Sequence, residues 1–268
     1  MSPTTTSVRI LWESEDPACP IGKIYYGTTE ALGMEVESSA GWPVAGEGYV
    51  HVVELTGLQP FTRYYFKVGD GARICKELCS TKTAPEKGTA FRIFTLSDIH
   101  QNACNNWENM QSDICALQPD IAIFNGDFIN EGNTRPWNSA FFYPGEPFLS
   151  QPPIMSSPGN HETGDPVTYR YSTFYDYFSQ FSHGYSEDSI KDPRGESYFT
   201  FTYGNAQMVI VNINGDASIP SFYTDSREYH WMDSVIEVSE APWILMFGHV
   251  GIFTSGYHGQ WSAEQKKV

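Results

Sequence analysis

The sequence predicts an all-β sandwich followed by an α/β domain. Three observations carry this prediction. Over roughly the first third of the chain, short apolar runs alternate with glycine-rich turns, as strands of a two-sheet sandwich do. A punctuated stretch at 81–89, with Pro85, Gly88 and two lysines, reads as a linker. Beyond it, continuous apolar runs of the buried-strand kind alternate with helical spacing. The 268 residues suffice for two cores. The domain boundaries fall at 1–84 and 90–268.

In the first segment Val8, Ile10 and Trp12 recur with period two. Apolar runs at 24–26, 49–55 and 64–68 come next. Turn signals separate them: Gly27, Gly33, Gly46-Glu47-Gly48 and Gly69-Asp70-Gly71. One stretch is more specific. Leu55-Thr56-Gly57-Leu58-Gln59-Pro60-Phe61-Thr62-Arg63-Tyr64 resembles the Leu-x-Pro-x-Thr-x-Tyr corner of fibronectin type III domains, where a tyrosine hydroxyl ties back to the backbone. Trp12 suits the core tryptophan of that fold. The aromatics of this segment read as packing, not as a ligand site.

The second segment opens with the apolar run 91–96, expected as a buried central strand. Trp107, Met110, Ile114 and Leu117 recur at helical spacing. Runs at 121–124 and 153–155 are further strands, so the order is strand, helix, strand, a βαβ unit. Runs at 198–203 and 207–211, joined by Gly204-Asn205, read as a hairpin. A helix is expected over 227–238, through Trp231, Met232, Val235 and Ile236, and a last strand over 243–247. The loops 131–152 and 163–195 are long and aromatic-rich, as in a packed lid or domain interface, or in a surface that stacks on a nucleotide base or an aryl ester.

Composition excludes several roles. The formal net charge is -16, and no Lys/Arg cluster interrupts it, so binding to nucleic-acid backbones or anionic membranes is not expected. No apolar run reaches the roughly 18 residues of a membrane span. The first six residues carry no secretory signal. Of the five cysteines, Cys19, Cys75 and Cys79 leave room for a disulfide and an oxidising compartment. Cys104 and Cys115 read as small residues at and in a helix.

Polar residues stand just past the C-terminal ends of the predicted strands. Asp98 and His100 come after the first, in Asp98-Ile99-His100. Asp127 comes after the second behind Gly126, Asn160 and His161 after the third behind Gly159, and His249 after the fourth behind Gly248. Strand ends of an open α/β sheet point their loops into one crevice, where sites form. Carboxylate, amide and imidazole are donors that suit Fe, Zn or Mn. Two ions side by side need a bridging carboxylate, and Asp127 lies between the other ligands in sequence. Each motif alone is weak; all four in order, each at a strand end, point to a metal site.

Those residues make 91–261 resemble the calcineurin-like metallophosphoesterase superfamily, and with the sandwich before it the chain is similar to purple acid phosphatases. The stretches 196–205 and 242–249 extend the likeness. The resemblance implies hydrolysis of small phosphate esters by metal-bound hydroxide at a two-metal site. It implies that Asp98 and His100 bind the first metal, that Asp127 bridges, and that Asn160 and His249 bind the second. His161 would contact the phosphate or protonate the leaving group, kept protonated beside Asp98. It also implies a secreted or extracytoplasmic protein. Two departures stand out. The position of the iron-binding tyrosine of purple phosphatases is Asn130, and their first motif ends in glycine where this chain has His100, so a colourless relative is expected. The family's closing Gly-His-x-His motif is absent before Val268, and the first edge strand would precede Val8, so the chain reads as truncated. The alternative reading is a catalytically incomplete binding or adhesion protein that keeps the fold. His258 would face substrate; His51, His183 and His230 read as structural.

Overall fold

The computed structural model describes residues 3–15, 21–44, 48–70, 73–100, 106–130, 137–163, 174–178, 198–212 and 226–251. The N-terminal part is built from β1 (Val8–Ser14), β2 (Gly22–Gly27), β3 (Met34–Ser38), β4 (Gly41–Pro43), β5 (Tyr49–Leu55), β6 (Arg63–Gly69) and β7 (Cys79–Lys82). They form two antiparallel sheets, β1-β5-β4 and β3-β2-β6-β7. The period-two pattern turns Val8, Ile10, Ile24, Val53, Leu55, Leu58, Tyr64 and Phe66 into one core. The Tyr64 hydroxyl accepts from the Gln59 N–H at 2.9 Å, the corner expected from the motif. Trp12 borders that core instead of filling it. It sits opposite His51 near the end of β1 and stacks on the buried His51 ring, centroids 5.0 Å apart. Cys75, Cys79 and Cys115 are free thiols, so the disulfide considered for Cys75 or Cys79 does not form; Cys19 and Cys104 lie outside the described residues.

The linker begins later than 81. Thr81 and Lys82 belong to β7, and the next two residues are still pinned to the sandwich: Thr83 N–H donates to Thr62 O at 3.2 Å and Ala84 N–H to Thr4 O at 2.9 Å. Both are buried, where an unpaired backbone group is costly. The sandwich packs directly on the second half of the chain. Lys82 Nζ meets Asp120 Oδ1 at 2.7 Å, Ser80 N–H donates to Ser150 O at 2.8 Å, and Val44 and Val50 join the cluster of Trp107, Phe124, Phe128 and Phe141.

The second half holds two described sheets. β8 (Ile93–Leu96), β9 (Ile121–Asn125) and β10 (Ile154–Ser157) run parallel in the order β10-β9-β8. β9 and β10 are buried almost throughout, but β8, expected as a buried central strand, is only half-buried, and among the described residues it pairs with β9 alone. Between β8 and β9 the expected helix is two pieces, α1 (Asn106–Asn109) and α2 (Gln111–Ala116). The Gln111 side chain donates to the Trp107 carbonyl at 2.7 Å, the acceptor a continuous helix would use, and accepts the Phe148 N–H at 3.2 Å. Leu117 becomes the C-cap and is exposed. The aromatic stretch read as a loop is helical, a π-helical turn over Trp137–Phe142 running into α3 (Tyr143–Leu149), with Trp137 and Phe141 in the core.

After β10 come two short helices, α4 (Asn160–Thr163) and α5 (Phe174–Tyr177). The second sheet contains the expected hairpin, β11 (Phe199–Tyr203) and β12 (Ala206–Ile210), and the last strand β13 (Trp243–Phe247) paired parallel to β12. α6 (Arg227–Glu237) precedes β13, and its Ser226 cap accepts the Tyr229 N–H at 3.1 Å. Among the described residues no helix is long and apolar enough to cross a membrane.

Candidate metal centre

Every candidate ligand leaves the C-terminal end of a strand: Asp98 and His100 after β8, Asp127 after β9, Asn160 and His161 after β10, His249 after β13. The first three motifs come from β10-β9-β8 and the fourth from β11-β12-β13, so two sheet ends converge.

The loops that carry these residues are held in unusual backbone shapes. Asp98, His100 and Asp127 have φ of 57°, 46° and 54°. A non-glycine residue in this region costs roughly 1–3 kcal/mol, and such residues cluster where the surroundings enforce them. Cross-loop bonds do so here: Asp98 N–H donates to Gly126 O at 3.2 Å and His100 N–H to Asp127 O at 3.1 Å. The third loop presses against the second. A Cβ on Gly159 would lie 2.1 Å from Asp127 Oδ1, and one on Gly126 2.4 Å from Gly159 N. Only glycine permits that approach.

Asp127 is the hub, with its side chain almost wholly buried. Its Oδ2 lies 3.2 Å from His249 Nε2, 3.5 Å from His100 Nε2 and 3.8 Å from His161 Nε2. Its Oδ1 accepts the His161 backbone N–H at 3.0 Å. Two groups result, each with ligand atoms within 4.8 Å of one another: His100, Asp127, His161 and Asp98, Asp127, His249. Asn160 Oδ1 stands 3.0 Å from His249 Nε2, beside the second group. The sequence-based pairing differs, because it set Asp98 with His100 and kept His161 apart. In the structure Asp98 Oδ1 is 4.0 Å from His100 Nε2, and the carboxylate facing His161 Nε2 is Asp127, not Asp98. His258 and His183 lie outside the described residues. His51 is wholly buried in the sandwich and His230 sits on α6, both away from the centre.

Second contacts aim the rings. Nδ1 of His249 bonds Asn125 O at 2.8 Å and Nδ1 of His161 bonds Asn130 O, which fixes Nδ1 as the protonated nitrogen in each neutral ring and turns Nε2 toward Asp127. Burial by itself would raise the Asp127 carboxyl, but hydrogen bonds from His249 and the His161 N–H hold it below the usual carboxylate range. Burial pulls His249 down, and its bond to Asp127 more than reverses this.

One residue of the centre received no role from the sequence. Glu162 is 1 % exposed, and its carboxylate accepts from the backbone N–H groups of Asp127, Gly159, Phe128 and Ile129 at 2.7, 2.8, 2.9 and 3.3 Å. Burial pushes its carboxyl up to about 7 against the pull of those donors. Its signal was an acidic residue directly after Asn160-His161, inside a segment otherwise headed for burial.

Comparisons with known proteins bear on this arrangement. The family "Calcineurin-like phosphoesterase" matches residues 91–267, and "Purple acid Phosphatase, N-terminal domain" matches 1–83. The chain is 24% identical over 260 residues to purple acid phosphatase 13 of Arabidopsis thaliana, covering 82% of this chain and 46% of that protein. It is 23% identical over 281 residues to purple acid phosphatase 15 of the same plant, covering 90% and 51%. The chain thus spans about half the length of these relatives. Its fold matches purple acid phosphatase PPD1 from yellow lupin (Lupinus luteus) seeds with a TM-score of 0.71 at 17% identity, over 95% of this chain and 50% of that one. PhoD matches with 0.68 at 16%, over 94% and 61%.

Proposed function

The chain belongs to the calcineurin-like phosphoesterase family, and we propose that it is a metal-dependent phosphoesterase acting on small phosphate esters at a two-metal centre. The observation that carries this reading is the pair of ligand groups sharing Asp127, because two adjacent cations need one carboxylate between them. The donor set fits. Asp98, His100, Asp127, Asn160 and His249 offer carboxylate, imidazole and amide atoms suited to Fe, Zn or Mn. The ring of His249 is already tautomer-fixed by a backbone carbonyl, a usual support for ligating imidazoles. When bound, two such ions supply positive charge for a phosphate and acidify water for attack at phosphorus. The chain itself, at -16, has no other concentrated source of that charge.

The protein's own groups divide the remaining work. Asp127, held ionised, would be the ligand shared by the two ions. Asp98, His100, Asn160 and His249 would hold them from loops on two sheets. His161 is the catalytic acid in this reading. Its Nδ1 donates to Asn130 O, while its Nε2 faces the centre on a partly exposed side chain, so the imidazolium form would give its Nε2 proton to a leaving oxygen and leave the neutral Nδ1–H ring. We assign the catalytic domain to 90–268 and the sandwich to 1–84, and place the protein outside the cytoplasm, as its resemblance to purple acid phosphatases implies.

The test is release of p-nitrophenol from p-nitrophenyl phosphate after loading with Fe, Zn or Mn. Metal-dependent turnover is expected, with His161→Ala reducing it about 100-fold or more. Folded protein that binds metal and turns over no phosphate ester would sink the proposal.

A further inference from the structure

We propose that Glu162 is the positioning residue that makes Asp127 a bridging ligand. It does so by binding the backbone of the Asp127 turn rather than any metal. This rests on the metal-centre reading above.

Three successive N–H groups, those of Asp127, Phe128 and Ile129, converge on the Glu162 carboxylate. Such a run of amides around one anion forms a nest, and the anion fixes the turn that makes it. The turn is the one that needs fixing, since Asp127 sits at a φ of 54°. The fourth donor, Gly159 N–H, belongs to the neighbouring loop, so one carboxylate ties two ligand loops together. The brace is reciprocal. Glu162 from the third motif holds the backbone of Asp127, and the Asp127 carboxylate accepts the backbone N–H of His161 from that same third motif. The close approach of Gly159 to Asp127 shows how little slack the pair has.

Glu162 does not itself reach the cation positions. Both its oxygens are occupied, each by two N–H groups, and it belongs to neither ligand group. The chemistry also explains why an acid stands here. A carboxylate offers acceptor sites at both oxygens. Glutamine keeps the shape but turns one oxygen into an NH2 donor facing N–H groups. Aspartate is one methylene shorter.

The experiment is Mn2+ titration by calorimetry of the wild-type chain and of Glu162→Gln, Glu162→Ala and Asp120→Asn, each checked by circular dichroism and thermal melting without metal. Asp120 is a control for stability alone. It pairs with Lys82 before the N-terminal end of β9, opposite the ligand loops. Glu162→Gln is expected to weaken Mn2+ affinity by about 10- to 100-fold while the chain still melts cooperatively. Asp120→Asn is expected to lower the melting temperature and leave affinity unchanged. Hydrogen exchange in metal-free protein supplies a readout independent of cations: amides 127–129 and 159 should lose protection in Glu162→Gln, while those of β8 keep it. Unchanged affinity and unchanged exchange in Glu162→Gln overturn the inference. So does Glu162→Ala that binds Mn2+ like wild type. Wild-type protein that binds Mn2+ yet hydrolyses no ester defeats the phosphoesterase reading alone and leaves this one standing.

Discussion

The sandwich and the half that carries the candidate ligands bury polarity in different ways. In the sandwich, the buried polar side chains among the described residues are the hydroxyls of Ser80, Thr81 and Thr83 and the imidazole of His51, which burial holds toward its neutral form. In the second half, buried carboxylates stand at Asp127, Glu162 and Glu228. A buried ionisable acid is costly unless hydrogen bonds or cations answer it. The sandwich answers packing alone. Its corner tyrosine satisfies one N–H, and its buried imidazole and hydroxyls are answered by neutral partners such as Ser14 Oγ for His51 and Gln59 O for Thr83. The second half keeps acids inside where a purely structural protein would replace them with apolar residues, and two of the three belong to the metal loops.

The largest expected effect tests whether that buried charge serves chemistry rather than folding. Asp127→Ala removes the atom shared by both ligand groups. Metal content, read by elemental analysis after loading and dialysis, should fall to background, and p-nitrophenyl phosphate turnover with it. Cooperative melting should persist, because the core around Phe124, Phe128 and Phe141 is untouched. Retained stoichiometric metal would place the bridge elsewhere and dissolve the contrast between the halves.

Legibility divided along the same line. The sandwich was readable because its information is local. Alternation gives strand faces, and the Tyr64 corner is a contiguous motif. The Gly204-Asn205 hairpin and the Ser226-capped helix were readable for the same reason. In the second half, the candidate residues were visible but not which of them stand side by side. Asp98 meets His249 across two sheets, a contact that depends on how β13 docks beside β12. Glu162 was invisible as a brace because its partners are backbone N–H groups, which every residue but proline carries. The break between α1 and α2 depends on one glutamine side chain meeting both Trp107 and Phe148, and periodicity does not register that.

A smaller effect sharpens the comparison from the other side. Tyr64→Phe deletes the hydroxyl that accepts from Gln59 N–H and leaves the ring in the core. A lost neutral hydrogen bond is worth about 1 kcal/mol. At this chain length that lowers the melting temperature by roughly 2–4 °C. Tyr64 lies in the sandwich core and belongs to neither ligand group, so Mn2+ affinity should match wild type. A change in affinity would mean that the sandwich tunes the metal loops.

The smallest effect is one of slope. Glu228 is buried, with one backbone donor, Asn212 N–H at 2.6 Å, and burial raises its carboxyl well above the ordinary value against that bond. The folded state therefore binds its proton more tightly than the unfolded state does. Its contribution to stability is complete below the unfolded carboxyl range and is lost as pH rises through the folded pKa. Glu162, pushed up to about 7, acts in the same direction. Glu228→Gln keeps an acceptor for Asn212 and has no proton to lose. In metal-free protein it should match wild type at about pH 4 and melt above it at about pH 9. The residual slope then includes Glu162 and the raised His249, and Glu162→Gln in that background should flatten it further. Equal slopes for wild type and Glu228→Gln would show that Glu228 is not ionised on the alkaline side. The pH response of the metal half would then rest on its ligand loops alone.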